Sequence, residues 1–154
     1  MSLGSALLII GVSAAPIAEL RGGIPLAISQ GFTPALAFLL AVLGNLLVVP
    51  VLFVGLRYGE ELLQRWGPSR ALLEWLFART RRKGRRIERA GPIALVLLVA
   101  IPLPGTGAWT GVIAARLFGI PMRKSLPWIA AGVLIAGILV LLVSLGLFEL
   151  FGIG

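Results

Sequence analysis

The chain has no cysteine and no histidine. That excludes disulfides, thiolate chemistry and zinc sites built on either residue. Charge is scarce as well. Only 13% of the 154 residues are charged, 58% are apolar, and the mean hydropathy is +1.03. A soluble domain is about a quarter charged and roughly half apolar. The solvent that suits this composition is lipid, and the length allows one small membrane bundle. The amino-terminal MSLGSALLIIGVSAAP carries a small-residue VSA resembling a secretory cleavage site, without the basic region that opens such signals. It is read as mature sequence.

What charge there is sits together. The formal net charge is +8, and ten of the 14 basic residues fall between Arg57 and Arg89. Local basic charge beside membrane spans reports orientation, so 57–92 is expected on the cytoplasmic side of a prokaryotic inner membrane. No aromatic stacking platform accompanies RTRRKGRRIER (79–89), and a nucleic-acid partner is not expected. Ahead of it, SRALLEWLFART (69–80) puts Leu72, Leu73, Leu76 and Phe77 on one helical face. That pattern predicts an amphipathic helix in the interface, starting near Pro68 and Ser69.

Four apolar stretches remain: 3–18, 32–56, 93–118 and 126–151. The second and fourth are long enough to cross a core of about 30 Å. The first is short and runs into APIAELRGGIPLAI (15–28). The third is broken by PLPGTG (102–107). Proline removes a backbone donor and glycine frees the chain to turn. Non-helical backbone at membrane depth persists only inside protein or beside a watery cavity. Two re-entrant hairpins are therefore expected, with tips at Gly22 and Gly23 and at Pro102, Pro104 and Gly105. Kinked full spans are the alternative.

The halves resemble each other. Pro16 matches Pro102 at a shift of 86, Pro34 matches Pro121 at 87, and Gly44 matches Gly132 at 88. With 57–92 cytoplasmic, span 32–56 runs inward and span 126–151 outward, and the halves are inverted. The expected fold class is an all-α integral membrane protein, residues 1–154 as one domain. It is an inverted repeat of re-entrant helical hairpin plus transmembrane helix (3–56 and 93–151), with the basic amphipathic linker 57–92 between. Such repeats are a transporter architecture.

Glu19 and Arg21 then sit at membrane depth, where an ionisable residue is a functional-site hypothesis by default. The structural alternative is a Glu19–Arg21 or Glu19–Arg116 pair that only holds the tips. Glu19 is a candidate proton carrier. Burial and a neighbouring arginine act on its pKa in opposite senses, and the sequence leaves the outcome open. At the second tip, Thr106 and Thr110 offer hydroxyls. A half-helix starting near Gly107 would aim free N–H groups at an anion. Arg116 follows on the same element. Asn45 is a possible further polar contributor, and Glu149 is placed at the outer interface. The substrate-binding set is Arg21, Thr106, Gly107, Thr110 and Arg116. No metal, no cofactor and no catalytic residues are expected, because no nucleophile–base pair is legible.

ELRGGIP (19–25) and PLPGTGAWTG (102–111) resemble the two signature stretches of the small multidrug export protein family, over nearly the whole chain. The layout is similar, more distantly, to the DedA family. Its members have two opposed re-entrant hairpins with acidic and arginine residues, and are implicated in moving polyprenyl-phosphate carrier lipids. That resemblance implies first-hairpin roles for Glu19 and Arg21 and a second-hairpin role for Arg116. This chain departs from the DedA pattern in having no arginine between Pro102 and Thr110. Three readings follow: translocation of an amphiphilic anion such as a lipid phosphate, efflux of lipophilic cations, or a non-transporting scaffold. Expected partners are membrane lipids, the anionic substrate and a second copy in a homodimer.

Overall fold

The computed structural model describes residues 2–64, 91–102 and 106–150. Among them the chain is helical throughout: α1 (Leu3–Ala14), α2 (Glu19–Ser29), α3 (Pro34–Gln64), α4 (Gly91–Ala100), α5 (Ala108–Leu117) and α6 (Met122–Leu150). The amphipathic helix expected at 69–80, the basic run 79–89, and the tip residues Pro104 and Gly105 lie outside the described residues.

Length divides the helices into two kinds. α3 and α6 have 31 and 29 residues, about 45 Å each at ~1.5 Å per residue. Within them Pro34–Gly59 and Met122–Gly146 are long and apolar enough to cross a membrane. α1, α2, α4 and α5 have 10 to 12 residues, about 15–18 Å, roughly half of a bilayer core. α3 continues past the expected end at residue 56 because Glu60–Gln64 are good helix formers even where the apolar run stops.

α3 and α6 pack against each other. α1 and α2 pack on α3 and on each other, and α4 and α5 do the same with α6. α2 also reaches α6, and α5 reaches α3. The buried positions follow the same pattern. Leu20, Gly23, Ile24 and Ala27 of α2 are buried, as are Ala108, Gly111, Val112 and Ala115 of α5, each 88 positions further on. Ala37, Ala41, Gly44 and Asn45 of α3 stand likewise to Ser125, Ile129, Gly132 and Val133 of α6.

The turns correspond too. Gly31 and Gly119 both take positive φ, +79° and +70°. Beyond them Phe32 N–H donates to Ala27 O (3.1 Å), and Ile120 N–H donates to Ala115 O (2.8 Å). This is the 6→1 closure of a helix C-terminus with glycine in the left-handed region. Ala37 N–H bonds to Thr33 O as Ser125 N–H bonds to Pro121 O. Pro121 therefore stands opposite Thr33, one residue from the Pro34 match expected from sequence. In α1 and α4 the spacing is 86: Ile9 with Leu95, and Ser13 with Val99, all buried. The second tip is thus two residues longer than the first.

The outer faces are apolar. Leu39, Leu43, Leu47 and Val51 of α3, and Leu134, Ile138, Leu142 and Val143 of α6, are exposed. Rows of exposed apolar side chains on both long helices are what a lipid solvent covers.

Candidate functional site

The amino termini of α2 and α5 meet in the middle of the molecule. α2 opens at Glu19, whose φ of +43° is the one positive φ of a non-glycine among the described residues. Left-handed backbone costs a residue with a Cβ about 1–2 kcal/mol, and such outliers cluster at functional sites. The turn Ala15–Ala18 makes it: Glu19 N–H donates to Ala15 O (3.1 Å). The result aims the Glu19 side chain inward, where the residue is 6% exposed.

The carboxylate lands on the start of α5. The backbone N–H of Trp109 donates to it, and the positive charge of Arg21 stands beside it. It lies flat against Gly107, where an added Cβ would come within 1.8 Å of Glu19 Oε2. Gly107 also has φ +134°, so glycine is required there twice over. The free N–H groups and dipole of α5, expected to face a substrate anion, hold the chain's own carboxylate.

Arg21, two residues further along α2, crosses to the second tip. Its guanidinium donates to Thr106 O (2.9 Å) and Thr106 Oγ1 (3.0 Å). The Thr106 hydroxyl in turn donates to Ile101 O. On the other side the Trp109 indole N–H donates to Ala14 O (3.0 Å). Three links therefore join the two tips: Glu19 to Trp109, Arg21 to Thr106, and Trp109 to Ala14. Gly22 is half-buried against Ala18, and Gly23 is buried against Ser13.

Among the described residues, two cavities touch Arg21. One is water-sized, about 10 Å³, and lies among Glu19, Arg21, Asn45, Pro102 and the α6 residues Val133 and Ala136. Asn45 is 1% exposed and its Oδ1 has no hydrogen-bond partner, a condition that costs about 1–3 kcal/mol. The other is an open recess of about 340 Å³, lined by Arg21, Pro25, Pro102, Leu139, Val143 and Ser144, with Val140 at its back. Leu139 and Val143 are exposed on the outer face of α6. The recess thus joins one cation to an apolar, lipid-facing wall.

Of the sequence-derived site residues, Glu19, Arg21, Thr106, Gly107 and Pro102 are brought together. Thr110 is half-buried one turn into α5, and Arg116 lies in its last turn, about 15 Å along the helix from Thr106. Neither lines either cavity among the described residues. The sequence reading missed Trp109 as a tie and the α6 wall as a lining. A tryptophan flanked by glycines in the broken apolar stretch is a signal that could have been used. The α6 residues carried none, since they resemble every other apolar position of that helix.

A family model described as "Putative small multi-drug export protein" covers residues 19–139. That range runs from Glu19 of the first tip to Leu139 of the recess. No curated protein and no solved structure matches the chain.

Proposed function

The chain belongs to the small multi-drug export protein family, and we propose that it is a membrane translocase for an amphiphilic anion, with lipid phosphates such as polyprenyl phosphates as the substrate class. One observation carries this reading: the open recess lined by Arg21 together with the exposed apolar side chains Leu139 and Val143. An anionic head group would take the arginine, which offers paired donors to a phosphate. The tail would lie along Leu139 and Val143. Thr106 is the second head-group contact, its hydroxyl turning its hydrogen from Ile101 O to the head group as Arg21 leaves it. Gly107, Thr110 and Arg116 belong to the same path along α5.

Transport in this reading is alternating access between two inverted halves, 3–56 and 93–151, each a re-entrant hairpin plus a span. The recurrence of buried positions and turn bonds at 88 supports it, as do α1, α2 and α5, which are too short to span. The tips would open on opposite sides in turn by breaking the Arg21–Thr106 and Glu19–Trp109 links. Glu19 would carry the coupled proton. The protein would work in the inner membrane of a prokaryote with 57–92 cytoplasmic, as a homodimer that completes the wall of an otherwise small body.

The second reading is efflux of lipophilic cations. The family description and the buried Glu19 carboxylate favour it. Arg21 in the recess opposes it, because a cation there would meet like charge and no acid among the described lining. A scaffold without transport is the third, and would tolerate neutral isosteres at both positions.

A thermal-shift panel on detergent-purified protein separates these. Ligands that bind the folded state raise the melting point with concentration. Polyprenyl phosphate is expected to stabilise the wild type and to lose at least tenfold in apparent affinity with Arg21→Ala. Stabilisation only by lipophilic cations, abolished in Glu19→Gln, would replace the anion reading with drug efflux.

A further inference from the structure

The water-sized cavity is lined by Glu19 and Arg21 of α2 and Asn45 of α3, with apolar side chains of α4, α5 and α6 around them. Glu19 presents its carboxylate, with Trp109 N–H as one donor to it. Asn45 Oδ1 is buried and has no partner. Arg21 lines the same space but donates to Thr106, and no hydrogen bond from it reaches Asn45 Oδ1, which is left without a donor. A volume of about 10 Å³ suits a single water, which needs roughly 10–15 Å³ and two or more polar partners.

The corresponding residue 88 positions on makes the asparagine conspicuous. It is Val133, equally buried and lining the same cavity. The fold thus accepts an apolar side chain at this place in α6, and packing alone does not call for an amide in α3. From α2 the charged group at the cavity is Arg21. Besides Glu19, Arg21 and Asn45, its described lining is apolar side chains and glycine. A metal cation there would sit beside the guanidinium with only one carboxylate to offset two positive charges, which disfavours it.

We propose that the cavity holds one water molecule bridging the Glu19 carboxyl group and Asn45 Oδ1, and that Asn45, through this water, is the acceptor for the proton of neutral Glu19. The inference deepens the proton-coupling role given to Glu19 above and rests on it. With Glu19 ionised, the water donates one hydrogen to the carboxylate and one to Asn45. When a proton from bulk water adds to the carboxylate, the new Glu19 O–H donates to the water, which keeps its donation to Asn45. Protonation thus reverses the hydrogen bond between the water and Glu19, and release returns the same proton to bulk water and restores the first arrangement. An anion bound at Arg21 would arrive with this proton, so that the net charge at the tips stays constant. Asn45 is a positioning residue for that proton.

Infrared difference spectroscopy of the full chain in detergent, stepped in pH, tests this without any substrate. Wild type is expected to show a neutral-carboxyl C=O band that is missing in Glu19→Gln. Asn45→Val should move that band to higher frequency, because the neutral acid has lost its hydrogen-bonded chain. Adding Val133→Asn to Asn45→Val, which returns an amide to the cavity from the opposite wall, should bring the band back. A role in packing alone predicts no such rescue. The same band in wild type and Asn45→Val would overturn the proposal, and so would a band that answers to sodium in place of pH. Should Asn45→Val fail to fold, a wild-type map that resolves waters decides: density within hydrogen-bond distance of Glu19 and Asn45 supports the bridge, and an empty cavity overturns it. Failure of phosphate binding to Arg21 leaves these spectra untouched, so the two readings fall separately.

Discussion

Glu19 is held by geometry that few other residues would accept. Its left-handed backbone, its burial and its seat on Gly107 all direct one carboxylate at the start of α5. Gly107 is therefore sensitive to a single methyl group. Gly107→Ala would put a Cβ into the carboxylate and force a side chain into a backbone region that costs about 1–3 kcal/mol. We expect it to lower stability by that amount and to remove stabilisation by polyprenyl phosphate, because displacing Glu19 also unseats Arg21 from Thr106. A thermal melt with and without the lipid reads both effects. Normal lipid stabilisation in Gly107→Ala would detach Glu19 from the site. At this scale the sequence was informative where polarity contrasts with its surroundings. A glutamate, an arginine and a threonine beside glycine in an apolar chain are visible without a structure. Leu139 and Val143 are not, because every face of α6 is apolar and no periodicity marks the wall of a recess.

Helix contacts in this fold depend on glycine at crossings, for want of a hydrophobic driving force between helices in lipid. α1 crosses α3 at Gly44, where an added Cβ would stand 2.3 Å from Ile10 O, and α4 crosses α6 at Gly132, where it would stand 2.9 Å from Val96 O. The partner residues, Ile10 and Val96, are 86 apart and the glycines 88, so the same crossing is made twice. Gly44→Ala must push two backbones apart, and overpacking of this kind costs about 1–3 kcal/mol. Gly146 of α6 and Gly55 of α3 meet nothing within 4 Å. Alanine there should leave stability unchanged or raise it by about 0.5–1 kcal/mol, since glycine is the weaker helix former. A detergent melt of the four alanine variants should rank Gly44 and Gly132 below wild type and Gly55 and Gly146 at or above it. Equal loss at all four would mean that glycine acts here through backbone entropy and not through close approach. The correspondence was half legible in sequence. Pro16 with Pro102 and Gly44 with Gly132 are in register, whereas Pro34 with Pro121 is off by one, because proline serves as the last turn residue before α6 and as the first residue of α3.

For the whole molecule, the question is whether the recurrence at 88 is also an inversion across the membrane. Two short helices and one long helix per half permit either a hairpin that re-enters or two kinked crossings. The alternatives differ in where the turns at 30–33 and 118–121 emerge. If both tips dip to midplane and return, the turn after α2 lies on the outer side and the turn after α5 on the cytoplasmic side, with Arg123 and Lys124 joining the basic segment as orientation by positive charge requires. The absence of native cysteine makes this directly measurable. Gln30 is exposed and Phe118 is half-exposed, 88 residues on at the equivalent point. Single Gln30→Cys and Phe118→Cys variants in sealed inner-membrane vesicles of known orientation should react with an impermeant maleimide from opposite sides. Reaction of both from one side would mean that the halves are parallel. The correspondence in packing would then describe a duplicated scaffold without the two-sided access that a translocase needs, and the Arg21–Thr106 link would be a structural clasp in place of a gate.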